Sequence, residues 1–327
     1  MKKIRAGIIG VGRMGEYHTA VYSELFFIDL VGVVDINGER GKTISKRFNT
    51  AFFPDFHEII DKVDAVSIAV PTDLHYPIAK EFLSTGVNVL LEKPITNNFS
   101  QAVELFELAD KNDCTLHIGH VERFNGAVQE LKKIVHEPLL IESRRLGPFQ
   151  TRVEDDGVVM DLMIHDIDII LNLVDSEVLD INVMGSSYFT KKDDLASVQI
   201  RFKNNCIANI IASRVTQNKI RTMSISQKDA YIYLDFSDQE IHVHRDASSE
   251  HRLGKNELHY KEESFTERLF VHRENPLKLE IKHFLDCSAN GAVSSIPVDK
   301  ELRSLKIALE IVDKFNKSQT NNRMTKE

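Results

Sequence analysis

Three groups of residues in this chain have types and spacings that can do chemistry. Gly10-Val11-Gly12-Arg13-Met14-Gly15 is a GxGxxG run. Following a strand and opening a helix, such a run cradles a pyrophosphate. The first glycine permits a tight turn, the second lets the anion approach the backbone, and the third allows close helix–strand packing. Asp35 stands twenty residues beyond Gly15. A carboxylate there accepts hydrogen bonds from an adenosine ribose and repels a 2′-phosphate, which favours NAD over NADP. Arg40 lies close enough in sequence to offer a counter-charge. In Glu92-Lys93-Pro94 a cation comes after an apolar run, and the proline restricts Lys93 to an extended backbone. The alternative for that dipeptide is a solvated Glu-Lys pair. Asp161 and His165 form the third group, four residues apart.

These groups need elements to hold them. Strand-like runs at residues 4–9, 30–34, 65–70, 87–91 and 115–118 alternate with amphipathic stretches near 13–25, 38–48, 75–85 and 99–112. The runs are nearly continuous in Val, Ile and Leu, as expected of strands buried on both faces. This order predicts an α/β fold: a doubly wound parallel sheet of the Rossmann type over 1–122. Beyond it, alternating segments such as 197–202, 205–213, 221–226, 231–236 and 240–244 suggest a second, α+β domain over 123–316, with a large, mostly antiparallel open sheet. Helices are expected near 157–174, 276–288 and 299–316, and a frayed polar tail over 317–327.

Residues 157–174 read as one helix. At about 100° per residue, Asp161, His165, Asp168 and Asn172 fall within about 60° of one another. Met163, Ile167, Ile170 and Val174 lie opposite, and most of the remaining surface is apolar, as in a buried helix. The narrow polar stripe admits three readings. It can be an inert Asp–His network, or a metal site completed by His117 or His120. It can also be an acid–base pair, since histidine titrates near neutral pH and a carboxylate one turn away can orient it. The expectation is acid–base chemistry with no metal.

Composition narrows the classes. The 327 residues are 42% apolar and 28% charged, enough for a real core and unlike a disordered chain. Cys114, Cys206 and Cys287 have no pairing spacing, which argues against a disulfide scaffold or zinc ribbon and suits a reducing cytoplasm. Net charge is −8, a poor match to DNA phosphates. No apolar run approaches the roughly 20 residues that cross a bilayer. The opening Met1-Lys2-Lys3 imitates a leader, but Arg13 and Glu16 interrupt the chain too early for its apolar core.

Residues 73–94, with their Leu-His pair, apolar helix and Glu-Lys-Pro, resemble the hallmark segment of the Gfo/Idh/MocA oxidoreductase family. The glycine turn and the Asp-x-x-x-His of residues 161–165 extend the resemblance over most of the chain. The approach Asp155-Asp156-Gly157 departs from the family's usual glycine-rich one. The resemblance implies that Arg13, Met14, Pro71, Thr72, His75, Glu92 and Lys93 join Gly10, Gly12, Gly15 and Asp35 around NAD. It also implies that Lys93 contacts both substrate and nicotinamide. His165 would then take a hydroxyl proton, with Asp161 as its orienting partner.

The segments 119–125 and 144–152 resemble the nucleotide-sugar branch of the family. Arg123, Arg144, Arg145 and Arg152 then suit an anionic substrate, since guanidinium forks onto phosphate. Their bland alternative is surface pairing with Glu122, Glu142 or Glu154. Arg123, Asn125, Arg152 and Asp168 are expected to join Lys93 and His165 on the substrate. The resemblance implies oxidation at C3 of UDP-N-acetylglucosamine, and a pyridoxal-phosphate aminotransferase that converts the ketone to an amine. In Gram-negative bacteria that route leads to amide-linked lipid A. An inositol or aldose dehydrogenase is the alternative within the family. A dinucleotide-sensing regulator is the alternative outside catalysis, but it has no need of Lys93, Asp161 and His165 together. Apolar Val198, Ile200, Phe202, Ile207, Ile210 and Ile211 on the second sheet, where family members pair, imply a homodimer or homotetramer.

Overall fold

The computed structural model describes residues 3–150, 156–253, 258–290 and 297–324, with backbone only for 246–253, 258–264, 290 and 321–324. Arg152, expected on the substrate, and Glu154 and Asp155 lie outside the described residues. Contacts divide the chain into two units, Met1–Phe124 with Glu274–Lys306, and Asn125–Arg273 with Ile307–Glu327.

In the first unit, β1 (Ile4–Ile9), β2 (Ile28–Val34), β3 (Ala51–Phe53), β4 (Ala65–Ile68), β5 (Asn88–Glu92) and β6 (Leu116–Gly119) form one sheet in the order β3-β2-β1-β4-β5-β6. Every pairing is parallel. This is the doubly wound order whose switch point, between β1 and β4, opens a crevice at the carboxyl ends of the strands. Helices α1 (Arg13–Glu24), α2 (Gly38–Arg47), α3 (His75–Ser84) and α4 (Phe99–Lys111) connect the strands. All four lie close to where the hydrophobic periodicity puts them. β3 is three residues long, too short for a pattern, and sequence reading misses it.

Helix α7 (Pro276–Asn290) belongs to this unit, although a division at residue 122 assigns it to the second domain. The reason is its apolar stripe. Leu277, Ile281, Phe284 and Leu285 recur at helical spacing and are buried with Tyr22, Leu25, Ile28, Val33 and Leu90. Each such side chain contributes about 1.5–3 kcal/mol on burial, so the sheet holds this distant segment firmly.

The second unit is built on an eight-stranded sheet. Its strands are β7 (Leu140–Leu146), β8 (Val178–Ser186), β9 (Leu195–Phe202), β10 (Ile207–Ser213), β11 (Ile220–Gln227), β12 (Ala230–Asp235), β13 (Glu240–Leu253) and β14 (Leu258–Arg268). Their order is β14-β13-β12-β11-β7-β10-β9-β8, antiparallel except for the β7–β10 pair. Strict alternation gives one buried face, through Ile141, Ala196, Val198, Ile200, Phe202, Ile210 and Ile232. Val198, Ile200, Phe202 and Ile210 are therefore spent inside the unit, and the sequence-based case for pairing through them does not hold. Only Ile207 and Ile211 of that set are partly exposed.

Helix α5 (Gly126–Ile134), which sequence reading misses, opens this unit. The last helix, α8 (Val298–Met324), contributes its first turns to unit one and the rest to unit two. The tail expected to fray from residue 317 is instead helical to Met324. Phe315 is buried, Lys314 Nζ donates to the Ile181 carbonyl at 2.7 Å, and Gln319 Nε2 donates to the Gly185 carbonyl at 3.2 Å. These tertiary contacts hold polar turns that have little helix propensity of their own.

Candidate functional site

In unit one the glycine turn has the geometry its spacing demands. Gly10 adopts φ +82°, and a Cβ there would come within 2.7 Å of the Ala69 carbonyl. Gly12 is the N-cap of α1 and no side chain caps that helix, so its first N–H groups are offered to an anion. Arg13 is exposed and reaches the Tyr17 hydroxyl from Nε at 3.1 Å, and Met14 is half-buried.

Asp35 is only 4% exposed and heavily engaged. The Val11 N–H donates to Oδ2 at 2.9 Å, the Asn37 N–H to Oδ1 at 2.7 Å, and Arg40 donates to both oxygens at 3.0 and 2.8 Å. Burial alone would push this carboxyl up, but Arg40 and the two backbone donors bring it below the ordinary range. It is an ionised acceptor at the end of β2, tied directly to the glycine turn. Arg40, the counter-charge noted in the sequence, is thus already paired with Asp35.

Lys93 is the first residue past β5, and the Lys93–Pro94 peptide is cis. Glu92 is buried, and its Oε1 lies 3.0 Å from His18 Nε2. Burial raises the Glu92 carboxyl, but the His18 hydrogen bond and the charge of Lys93 hold it below its usual value. Its Oε2 accepts the Lys93 backbone N–H at 3.3 Å. His75 is buried against two carbonyls, with Nδ1 2.8 Å from Pro94 O and Nε2 3.0 Å from Val70 O. Burial keeps this imidazole below its ordinary pKa despite both contacts. In its neutral form it has one N–H to give to these carbonyls, and Glu92 is engaged by His18 and the Lys93 backbone N–H. Pro71 and Thr72 sit at the start of a 3₁₀ turn after β4, Pro71 exposed and Thr72 half-buried.

The same unit buries a cluster that sequence reading does not find. Arg123 forks onto Glu301, with Nη2 donating to Oε2 at 2.9 Å. His120 Nε2 is 3.8 Å from Glu301, and His117 Nε2 is 3.8 Å from Glu280. Burial pushes His117 down to about 4. Among the described residues no group of three or more His, Cys, Asp or Glu is arranged to hold a metal ion. Glu280 is fully buried, and among the described residues neither carboxyl oxygen has a hydrogen-bond partner. Burial first, and the charge of Glu92 second, raise its pKa well above the ordinary value, against the opposing influence of His18 and Arg123; Glu301 adds to the rise. An acid whose proton is held more tightly when folded contributes stability below the normal carboxyl range, and that stability is lost as pH rises through its raised value. Glu280→Gln is therefore expected to melt close to wild type near pH 4 and above it near pH 9. Melting curves at the two pH values check this, and an equal gap at both would overturn it.

In unit two, the helix expected over 157–174 is not uniform. Residues Val159–Met163 form a π-helical turn, and α6 proper runs Ile164–Leu173. Gly157 packs on Asp193 so closely that a Cβ would meet Oδ1 at 1.9 Å, and Asp193 Oδ2 accepts the Val159 N–H at 2.7 Å. The π turn spends an extra residue, so the α-helical wheel loses register across it. Asp161, Leu162 and His165 are partly exposed, whereas Asp168 is buried and Asn172 Nδ2 donates to the Asp168 carbonyl at 2.8 Å. Of the four residues of the polar stripe, Asp161, His165 and Asn172 are thus partly exposed and Asp168 is buried. Met163, Ile167, Ile170 and Val174 are buried as the wheel predicts.

The arginine cluster is also reassigned. Arg144 and Arg145 are neighbours on β7 and so point to opposite faces, Arg144 exposed and Arg145 buried. Arg145 forks onto Asp166 at 2.9–3.1 Å and stacks over Phe236, its Cζ 4.8 Å from the ring centroid. Asn125 caps α5, accepting from the Ala127 N–H at 3.0 Å, and donates to the Phe236 carbonyl at 3.1 Å. Arg123 and Arg145 are thus paired, but buried and with Glu301 and Asp166 rather than at the surface with Glu122, Glu142 or Glu154. Arg123, Arg145 and Asn125 hold their own units together.

Comparison with known proteins agrees with this architecture. Residues 4–120 match the profile described as "Oxidoreductase family, NAD-binding Rossmann fold", and residues 125–233 match the "GFO/IDH/MocA C-terminal domain". The chain is 36% identical over 251 residues to UDP-N-acetylglucosamine 3-dehydrogenase of Acidithiobacillus ferrooxidans, covering 76% of this chain and 80% of that one. A solved structure of UDP-N-acetylglucosamine 3-dehydrogenase GnnA from the same organism superposes with a TM-score of 0.86 at 31% identity, over 96% of this chain and 98% of the other. Glucose-6-phosphate 3-dehydrogenase of Bacillus subtilis is 28% identical over 240 residues, 65% of this chain and 68% of its own.

Proposed function

Because the chain belongs to the Gfo/Idh/MocA oxidoreductase family, we propose that it oxidises C3 of UDP-N-acetylglucosamine to a ketone, with NAD as cofactor. The observation that carries this is the 36% identity to a UDP-N-acetylglucosamine 3-dehydrogenase over three quarters of the chain. The co-occurrence of Lys93, Asp161 and His165 supports it, since a regulator needs no such set.

The uncapped start of α1, the open approach at Gly12 and the ionised Asp35 fit a dinucleotide: two for the pyrophosphate, one for the ribose. When bound, NAD supplies the hydride acceptor for the carbinol carbon. The chain's own residues manage the proton and the charge. The Lys93 ammonium stabilises negative charge developing on the C3 oxygen. His165 takes the hydroxyl proton and passes it to solvent, and Asp161 orients the imidazole. Arg152 contributes to holding the diphosphate, a task that Arg123 and Arg145, committed to Glu301 and Asp166, do not share.

The ketone suits a pyridoxal-phosphate aminotransferase, which would make the 3-amino sugar used in amide-linked lipid A. We place the enzyme in the cytoplasm as a homodimer or homotetramer. Among the described residues no helix is long and apolar enough to cross a membrane. Exposed Tyr231 and partly exposed Ile207, Ile211 and Tyr233 give the outer sheet face some apolar area for pairing.

The test follows NADH absorbance with NAD and UDP-N-acetylglucosamine, adding the aminotransferase to remove product. Turnover at least about 10²-fold more efficient than with free N-acetylglucosamine or myo-inositol is expected. No NADH from the nucleotide sugar, or equal use of the free sugars, would sink the proposal.

A further inference from the structure

Two buried histidines that take no part in the proposed chemistry close on the residues either side of Lys93. On one side, Glu92 is ionised and can only accept, so His18 donates to it from Nε2 at 3.0 Å. Glu92 uses its other oxygen to accept the Lys93 N–H at 3.3 Å. On the other side, His75 lies 2.8 Å from the carbonyl of Pro94 and 3.0 Å from that of Val70, just past β4. His18 and His75 are 0% and 1% exposed, too enclosed to meet a substrate.

The sheet ladder leaves this task open. The last β5–β6 pair is Glu92 with Gly119, so Lys93 stands just past the register. A buried His–Glu pair is also a costly way to fill a core, because desolvation offsets most of its attraction and an apolar pair of similar size packs as well. What polar partners supply, and apolar ones do not, is direction.

We propose that His18 and His75 are positioning residues that brace Lys93 from both sides, His18 through Glu92 and His75 through the Pro94 carbonyl. The brace rests on Lys93 acting on the substrate. It adds that α1, the helix opened by the glycine turn, also sets the position of the lysine. The dinucleotide turn and the hydroxyl-polarising cation thus share one support, within one unit.

His18→Leu removes the donor, and His18→Gln returns an N–H near the same place. In the full-length enzyme, His18→Leu is expected to lower kcat about 10- to 100-fold with KM and NAD affinity within about threefold, because a displacement of about 1 Å at a reacting group costs that much. His18→Gln should recover most of the rate. A second readout needs no substrate: acetylation of the Lys93 amine by acetic anhydride, mapped by mass spectrometry against exposed Lys46. Its rate should change at least about threefold in His18→Leu and return in His18→Gln, as expected when the support of a functional group is loosened. If His18→Leu does not fold, Glu92→Gln replaces it in both measurements. Unchanged Lys93 labelling, or kcat and NAD affinity falling together with no rescue, would overturn the brace. If the wild type oxidises no sugar, the proposed function fails while the labelling still decides the brace.

Discussion

His165→Asn is expected to lower kcat by roughly 10²–10⁴, the range that general-base catalysis contributes, while NAD affinity stays near that of wild type. The separation comes from where the residues sit. His165 lies in unit two, just after the π turn, partly exposed. The glycine turn and Asp35 lie in unit one. Asparagine keeps polarity and approximate size, so α6 should hold, packed by Ile164, Ile167 and Ile170. What it removes is a group that can take a proton. Steady-state kinetics with isothermal titration of NAD would check both halves, and exogenous imidazole should restore part of the rate. Unaltered kcat would take His165 out of the reaction. A loss of NAD binding equal to the loss of rate would make its role structural.

Gly15→Ala and Gly12→Ala are expected to fail in opposite ways, although both break the same motif. At Gly15 a Cβ would stand 1.8 Å from the Gly10 carbonyl oxygen and 2.8 Å from its carbon. Both are backbone atoms of the adjoining turn, so relief means moving α1 away from β1. Overpacking of this kind costs about 1–3 kcal/mol, and at about 2–4 °C per kcal/mol the melting temperature should fall by roughly 2–12 °C. At Gly12 nothing lies within 4 Å of the same atom, and φ of −64° is comfortable for alanine. That variant should melt within about 2 °C of wild type. It should nonetheless lose about 10²-fold or more in NAD affinity, because the methyl group occupies the approach a pyrophosphate needs. Thermal melts with and without NAD separate the two outcomes. Gly12→Ala with unaltered NAD affinity would show that the pyrophosphate does not pass there.

Particular elements show how far the sequence is legible. β1 starts and ends where its apolar run does, and α1 to α4 track their periodicity closely. β3, with three residues, carries no periodicity to read. Helix α5 opens at Gly126 on the Asn125 cap, a residue whose position in the motif suggests a substrate contact instead. The π turn is invisible to a wheel that assumes about 3.6 residues per turn. It includes Asp161 and precedes His165, whereas His165, Asp168 and Asn172 all lie on α6.

By itself the sequence determined the parallel unit, the glycine turn with the acidic residue that follows β2, and the strand that ends at Lys93. Each is written in local runs and turns. Only the tertiary structure decided the partners of the buried charges. Arg123 finds Glu301 across 178 residues of chain, Arg145 finds Asp166, and His18 finds Glu92 across 74. A charge in a low-dielectric interior must be compensated by whatever the packing brings beside it. That neighbour is set by strand order and helix docking, which no local pattern encodes.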